Sequence, residues 1–193
     1  MAELTAFVLA GGASSRMGTD KAFVMLEGRT LLATSIQVCR AVTNDVRIVG
    51  DRKKFAPFGP VVEDLFPGCG PLGGIHAALR ASTSELNLML AVDLPFVSPA
   101  LLQFLVAQAC TTPAAVTVPR VGGRWQPLCG VYRRVFAERA DSALRQGRFK
   151  IDALFDEDAT CVVEEEALQA AGFSPQMFRN LNTPEELARA RIS

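Results

Sequence analysis

The apolar run LTAFVLA, residues 4–10, stops abruptly at the glycine-rich segment GGASSRMGTDK, and this junction constrains the fold more than any other feature of the chain. A run this short cannot cross a bilayer, and no basic stretch precedes it as in an export signal, so it reads as a first buried strand. Beyond the glycines the chain acquires helical spacing: Leu31, Leu32, Ser35, Ile36, Cys39 and Val42 fall near i, i+3, i+4 and i+7. A second strand is expected at 46–49. A strand, a loop, a helix and a strand in that order form the unit from which parallel sheets are built.

The pattern continues downstream. A short strand at 60–63 leads through a second glycine-rich loop, FPGCGPLGG, to a helix expected over 75–81. The run LNLMLAV at 86–92 is almost wholly apolar, which suits a central strand covered on both faces, and it breaks at Asp93-Leu94-Pro95. Ser98 and Pro99 then read as the N-cap and first position of a helix reaching about residue 109. A strand in AVTVP, a hairpin in GGRWQPLCGVYRR, a helix over 134–146 and a mixed segment to Val163 follow. Near the end, Thr183 and Glu186 have capping-box spacing for a last helix. No repeat or linker divides the chain, so residues 1–193 are expected to form a single α/β domain.

Charge and cysteine usage exclude several classes. Lysine plus arginine number 20 and aspartate plus glutamate also 20, leaving no net field to hold a nucleic acid or an anionic membrane. A small anionic ligand needs only a local group of donors. The five cysteines are odd in number, widely spaced and without a Cys-x-x-Cys pair, which points to reduced thiols and a cytoplasmic protein.

In open parallel sheets, ligands bind beyond the carboxyl ends of the strands, where loops converge with helix N-termini. Three loops meet that description, beginning at Gly11, near Asp64 and at Asp93. The first pairs glycines, which let backbone amides approach a phosphate, with Arg16 and Lys21, which can neutralise triphosphate oxygens. Its spacing of Gly11, Gly12 and Gly18 fits neither the dinucleotide fingerprint nor the P-loop, which disfavours a dehydrogenase or a P-loop NTPase. Asp93, at the end of a buried strand, is a reasonable magnesium ligand. Taken singly, Asp93 reads as a turn residue and Asp64 as a solvated strand edge. Together with the glycine loop and the two cations they make the set that metal-assisted nucleotide chemistry requires.

Other marked residues read more plainly. His76 is the sole histidine and is expected to be a packed helix residue. Cys69, between glycines, carries nothing in its sequence context that marks a reactive thiol. Trp125, with Gln126 and Pro127, suits core packing or the lining of a pocket for a flat heterocycle. The acidic runs 156–158 and 164–166 are expected to be solvated surface.

The segments LAGGASSRMGTDKA, GPLGGI, VDLPF and NLNTPEEL, in this order and spacing, resemble the molybdenum cofactor guanylyltransferases, the MobA-like nucleotidyltransferases, over nearly the whole chain. The resemblance implies a three-layer, Rossmann-like nucleotidyltransferase fold with a mostly parallel central sheet. It implies transfer of a guanylyl group from GTP to the terminal phosphate of molybdopterin carrying molybdenum, with pyrophosphate released and magnesium required. Leu9, Ala10, Gly11 and Gly12 would hold the guanine nucleotide, Arg16 and Lys21 its phosphates, Asp64 the nucleoside side and Asp93 the metal. Arg16, Lys21 and Asp93 are the implied catalytic set. Asn180 and Asn182 would sit near the acceptor or assist the metal, turn geometry being the structural alternative for Asn182. Molybdoenzyme apoproteins and other cofactor-synthesis proteins are the implied partners.

The pair Gly11-Gly12 resembles guanylyl enzymes, whereas cytidylyl relatives usually carry Leu-Ala-Ala-Gly. GPLGGI matches the same branch, its glycines allowing close approach to base or ribose. The chain departs from the family at Val49-Gly50-Asp51, where an asparagine is common, and at Val92, where cysteine is frequent. A nucleotidyltransferase using CTP or a sugar phosphate, and a non-catalytic nucleotide or cofactor carrier, remain alternatives.

Overall fold

The computed structural model describes residues 3–11, 20–181 and 186. In chain order the elements are β1 (Leu4–Leu9), β2 (Met25–Leu26), β3 (Arg29–Thr30), α1 (Leu31–Arg40), β4 (Val46–Val49), α2 (Arg52–Phe55), β5 (Val61–Val62), α3 (Pro71–Ala81) and β6 (Leu86–Ala91). They continue as α4 (Pro99–Cys110), β7 (Val116–Val121), β8 (Arg124–Trp125), β9 (Cys129–Arg133), α5 (Phe136–Arg145), β10 (Thr160–Glu164) and α6 (Glu165–Ala170).

The main sheet runs β10-β7-β9-β6-β1-β4-β5, with β8 paired to β7. Strands β6, β1, β4 and β5 are mutually parallel. Only β9 is reversed along this path, antiparallel to both β6 and β7, while β7 and β10 are parallel to each other. The carboxyl ends of β1, β4, β5, β6, β7 and β10 therefore open on one edge. The expected mostly parallel sheet is what forms.

Alternation along β1 explains the layering. Ala6 and Val8 join one buried cluster with Leu32 and Ile36 of α1 and Leu101, Leu102 and Leu105 of α4. Phe7 and Leu9 join the other with Leu72, Ile75 and Leu79 of α3 and Phe136, Ala140 and Leu144 of α5. A period of two along a strand sends neighbours to opposite faces, so one short apolar run serves two cores. All six residues of β6 are buried, as its unbroken apolar sequence requires.

Local sequence sets the helix starts. Thr30 accepts from the Ala33 amide at 3.2 Å to cap α1, and Ser98 accepts from the Leu101 amide at 3.2 Å to cap α4, with Pro99 at its first position. Helix α3 begins earlier than its apolar spacing suggested. Gly70, at φ 68°, turns the chain where a side chain would be strained, and Pro71 starts the helix, so PLGG is helical instead of looped. Helix α2, β10 and α6 are among the elements that carried no expectation. Helix α2 is capped by Asp51, which accepts from the Lys53 amide at 2.8 Å, and β10 and α6 lie in and just past the mixed segment.

The acidic run at 164–166 is not free surface. Glu164 pairs with Arg120 across the parallel β7–β10 ladder, Arg120 Nε lying 2.9 Å from Glu164 Oε2, and Glu165 accepts from the Gly122 amide at 2.7 Å. Composition alone does not reveal partners that only strand pairing brings together.

Candidate active site

The parallel strand ends of β6, β1, β4 and β5 build a continuous rim. At the end of β1, the Ala10 and Gly11 amides both donate to Val49 O, at 2.9 and 3.0 Å, which curls the chain over the end of β4. A Cβ at Gly11 would lie 3.6 Å from Gly50 Cα, and one at Gly50 only 2.7 Å from the buried Phe55 ring, so the two glycines let the neighbouring turns touch. On the other side, the Val92 amide donates to Leu9 O at 3.2 Å, so the strand bearing Asp93 leaves the sheet directly beside the glycine turn.

Lys21 reaches this point from the far side of the first loop. It opens a 3-10 turn capped by Asp20 and pinned by fully buried Ala22, with Phe23 stacked on Phe55. Its Nζ lies 3.5 Å from Asp93 Oδ2, a charge contact instead of a short hydrogen bond. The other carboxylate oxygen, Oδ1, is buried and has no hydrogen-bond partner among the described residues. Asp93 thus keeps unused acceptor capacity at a strand end, the property expected of a ligand for a hard cation. Among the described residues no group of three or more His, Cys, Asp or Glu side chains gathers as a metal cage. One carboxylate fits magnesium, which retains waters and takes its remaining ligands from substrate phosphates.

Asp64 belongs to a different part of the rim. In the order β6-β1-β4-β5 it follows β5, three strand positions from Asp93, or about 14 Å at ordinary strand spacing. The two carboxylates cannot share an ion, and a nucleotide spanning them would present opposite ends to each. Asp64 Oδ1 accepts from the Phe66 amide at 2.8 Å. A Cβ on Gly73 would lie 2.8 Å from both Asp64 oxygens, so the missing side chain in the first turn of α3 is what seats this carboxylate. The resemblance implies that the GPLGGI glycines allow close approach to base or ribose; in the structure Gly73 also makes room for Asp64. Gly73→Ala should leave the melting temperature unchanged or raised, because alanine favours a helix and the displaced group is the tip of a side chain. Nucleotide affinity should fall about as far as in Asp64→Ala, roughly tenfold for one charge-assisted contact. Titration of the nucleotide into both variants checks this.

The C-terminal motif docks on the same turn. The Leu181 amide donates to Asp93 O at 2.9 Å, and the Leu181 side chain is buried with Leu26 and Leu31. Asn180 is therefore held next to Asp93 and is exposed. Nothing in the sequence marked Leu181 beyond its place between two asparagines. Gly12, Arg16, Asn182 and the capping box from Thr183 lie outside the described residues, Glu186 excepted.

The remaining marked residues are structural. His76 is buried on α3, edge-on to Phe66 with centroids 5.2 Å apart, and its Nε2 lies 3.5 Å from Asp141 Oδ1. Burial pushes its pKa down more strongly than the nearby Asp141 carboxylate pulls it up, so the ring stays neutral at pH 7. Trp125 packs edge-on to Phe155 at 5.1 Å with the Arg120 guanidinium 5.3 Å from its centroid, a packing role. All five cysteines are free, and burial pushes the Cys39 thiol up to about 12.

A glycine-turned first strand, a strand-end carboxylate in contact with a lysine, and a mostly parallel sheet are the arrangement of a nucleotidyltransferase. The chain belongs to the MobA-like NTP transferase domain family, whose pattern matches residues 6–181. It is 34% identical to a "Molybdenum cofactor guanylyltransferase" from Desulfosudis oleivorans, over 100% of this chain and 96% of that protein. It is also 34% identical to a "Probable molybdenum cofactor guanylyltransferase" from Pelotomaculum thermopropionicum, over 100% of this chain and 94% of that one. The crystal structure of molybdopterin-guanine dinucleotide biosynthesis protein A from Archaeoglobus fulgidus superposes with a TM-score of 0.84 at 28% identity, covering 97% of each chain. Among the described residues no helix is long and apolar enough to cross a membrane.

Proposed function

We propose that this chain, working as a single domain in the cytoplasm, moves GMP from GTP onto the terminal phosphate of molybdopterin carrying molybdenum, forming the guanine dinucleotide cofactor and pyrophosphate. The observation that carries the reading is the contact between Lys21 and Asp93 beside the Gly11 turn, with Asp93 Oδ1 unpartnered among the described residues. The names of the full-length relatives supply the base and the acceptor. Five unpaired thiols fit a reducing compartment.

Each part of the rim has a task in this scheme. The Leu9–Gly11 backbone and Gly12 cradle the nucleotide, Arg16 and Lys21 neutralise its phosphates, and Asp64 fixes the nucleoside end. Asp93 would hold magnesium, which when bound supplies positive charge to the phosphate oxygens. Asn180 and Asn182 would bind the acceptor or assist the metal. An acceptor phosphate oxygen attacks the α-phosphorus; that O–P bond forms as the α–β bridging bond breaks, and its electron pair leaves on pyrophosphate. The attacking phosphate is already ionised at neutral pH and needs no side-chain base, so the burial of the sole histidine in α3 costs the reaction nothing. Finished cofactor would pass to molybdoenzyme apoproteins or to other cofactor-synthesis proteins.

The test is transfer by purified protein with magnesium and molybdenum-bearing molybdopterin, offered GTP, CTP or UTP in turn. GTP should give one pyrophosphate per dinucleotide formed, and the pyrimidine triphosphates little. Faster transfer from CTP would reassign the base, and no transfer from any of them would leave a carrier.

A further inference from the structure

The acceptor half of this reaction has no cation assigned to it. Arg16 and Lys21 belong to the first loop and the turn that follows, on the nucleotide's side. The acceptor brings a phosphate of its own, which must approach the α-phosphorus from the face opposite the departing pyrophosphate. Bringing two anions together without compensating charge is unfavourable, more so where water is partly excluded.

Arg179 lies beside the Asp93 turn. Its guanidinium carbon lies 4.7 Å from the centroid of the Phe96 ring. Phe96 closes the segment Asp93-Leu94-Pro95-Phe96, so the ring is fixed to the strand end that carries the metal-ligand candidate. Two residues beyond Arg179, the Leu181 amide is bonded to Asp93 O at 2.9 Å, and the Leu181 side chain is buried in a cluster against which Phe96 packs. Both ends of the Arg179 segment are thus tied to the Asp93 turn.

The side chain is exposed, and no described carboxylate lies within ion-pair distance of it. On the same edge Arg120 pairs with Glu164 and Arg52 with Glu63. A guanidinium laid over an aromatic face keeps its edge N–H groups directed outward, in the fork that matches two phosphate oxygens, and loses less freedom on binding than an unsupported side chain.

We propose that Arg179 grips the acceptor's terminal phosphate and aims it at the α-phosphorus, with Phe96 as the platform that orients the guanidinium. The inference rests on the transfer reaction proposed above. The experiment is steady-state transfer with GTP and acceptor varied separately, for wild type, Arg179→Gln and Arg179→Lys, at low and moderate salt.

Arg179→Gln should raise the KM for the acceptor roughly tenfold, the loss expected for one charge-assisted contact, while the KM for GTP moves less than about twofold. Arg179→Lys should fall between, since it keeps the charge and loses the fork. The salt dependence of the acceptor KM should flatten in Arg179→Gln, which a merely structural role would not produce. If wild type transfers and Arg179→Gln keeps the wild-type acceptor KM, or shifts both KM values equally, the assignment is overturned and the transfer reaction stands. If wild type transfers nothing, both fall together.

Discussion

Replacing Asp93 with alanine is expected to cut nucleotide transfer by about three orders of magnitude while leaving the fold as stable as before, the range seen when one preorganised charge-stabilising group is lost. The two halves of that expectation come from different atoms. The structural work at this position is done by the backbone: Asp93 O accepts from the Leu181 amide, and the Val92 amide donates to Leu9 O. The side chain contributes little to stability. Its Oδ1 is buried without a partner among the described residues, which costs desolvation, and its Oδ2 makes a partly exposed contact of 3.5 Å with Lys21. Removing an under-satisfied acceptor relieves a penalty of the same order as the ion pair that is lost, about 1 kcal/mol each way.

Asp93→Asn separates charge from shape. It keeps the size of the side chain and loses the charge, so it should be nearly as inactive if metal binding is the role. Pyrophosphate release and thermal melting, run on the same preparations, are the measurements. Transfer retained within tenfold in either variant would remove Asp93 from the metal's coordination.

How much of this was legible beforehand depends on whether a signal is local. The first strand, the central strand and the Ser98-Pro99 helix start are written in contiguous residues, and the structure places them within about a residue of the sequence reading. The strand ends at Gly11, Asp64 and Asp93 were legible for the same reason: each is a polar or glycine break in an apolar run.

Relations between segments were not. That Gly73 makes room for the Asp64 carboxylate emerges only once the β5–α3 connection is folded. Glu164 looked like solvated surface because its partner Arg120 lies on a strand that precedes it by two reversals of the chain. Gly73 and Gly74 are poor helix formers, so local propensity puts the start of α3 after them. Proline at the first position and close packing against Val49 and Asp64 override it. The gap of three strands between Asp64 and Asp93 follows from sheet order, which does not follow chain order: β6 inserts beside β1, on the side away from β4. Without that order the spacing between the two acids is not legible.

Lys21→Ala should lower kcat by about a hundredfold and weaken GTP binding much less, because the contribution of this ammonium grows as charge develops on the phosphates. The side chain is positioned before substrate arrives. Its turn is held by the Asp20 cap, by buried Ala22 and by Phe23 against Phe55, and the ammonium already rests on Asp93. A triphosphate entering with its ion replaces that contact with stronger ones, since the phosphates offer more charge and more acceptors than one carboxylate. Lys21 and Asp93 therefore act on the same charge from two sides, and their losses should not multiply. The double variant Lys21→Ala, Asp93→Ala should be about as slow as Asp93→Ala alone, not a further hundredfold slower. A fully multiplicative loss in single-turnover transfer would mean that the two residues work on separate steps, and that their 3.5 Å contact is incidental to the chemistry.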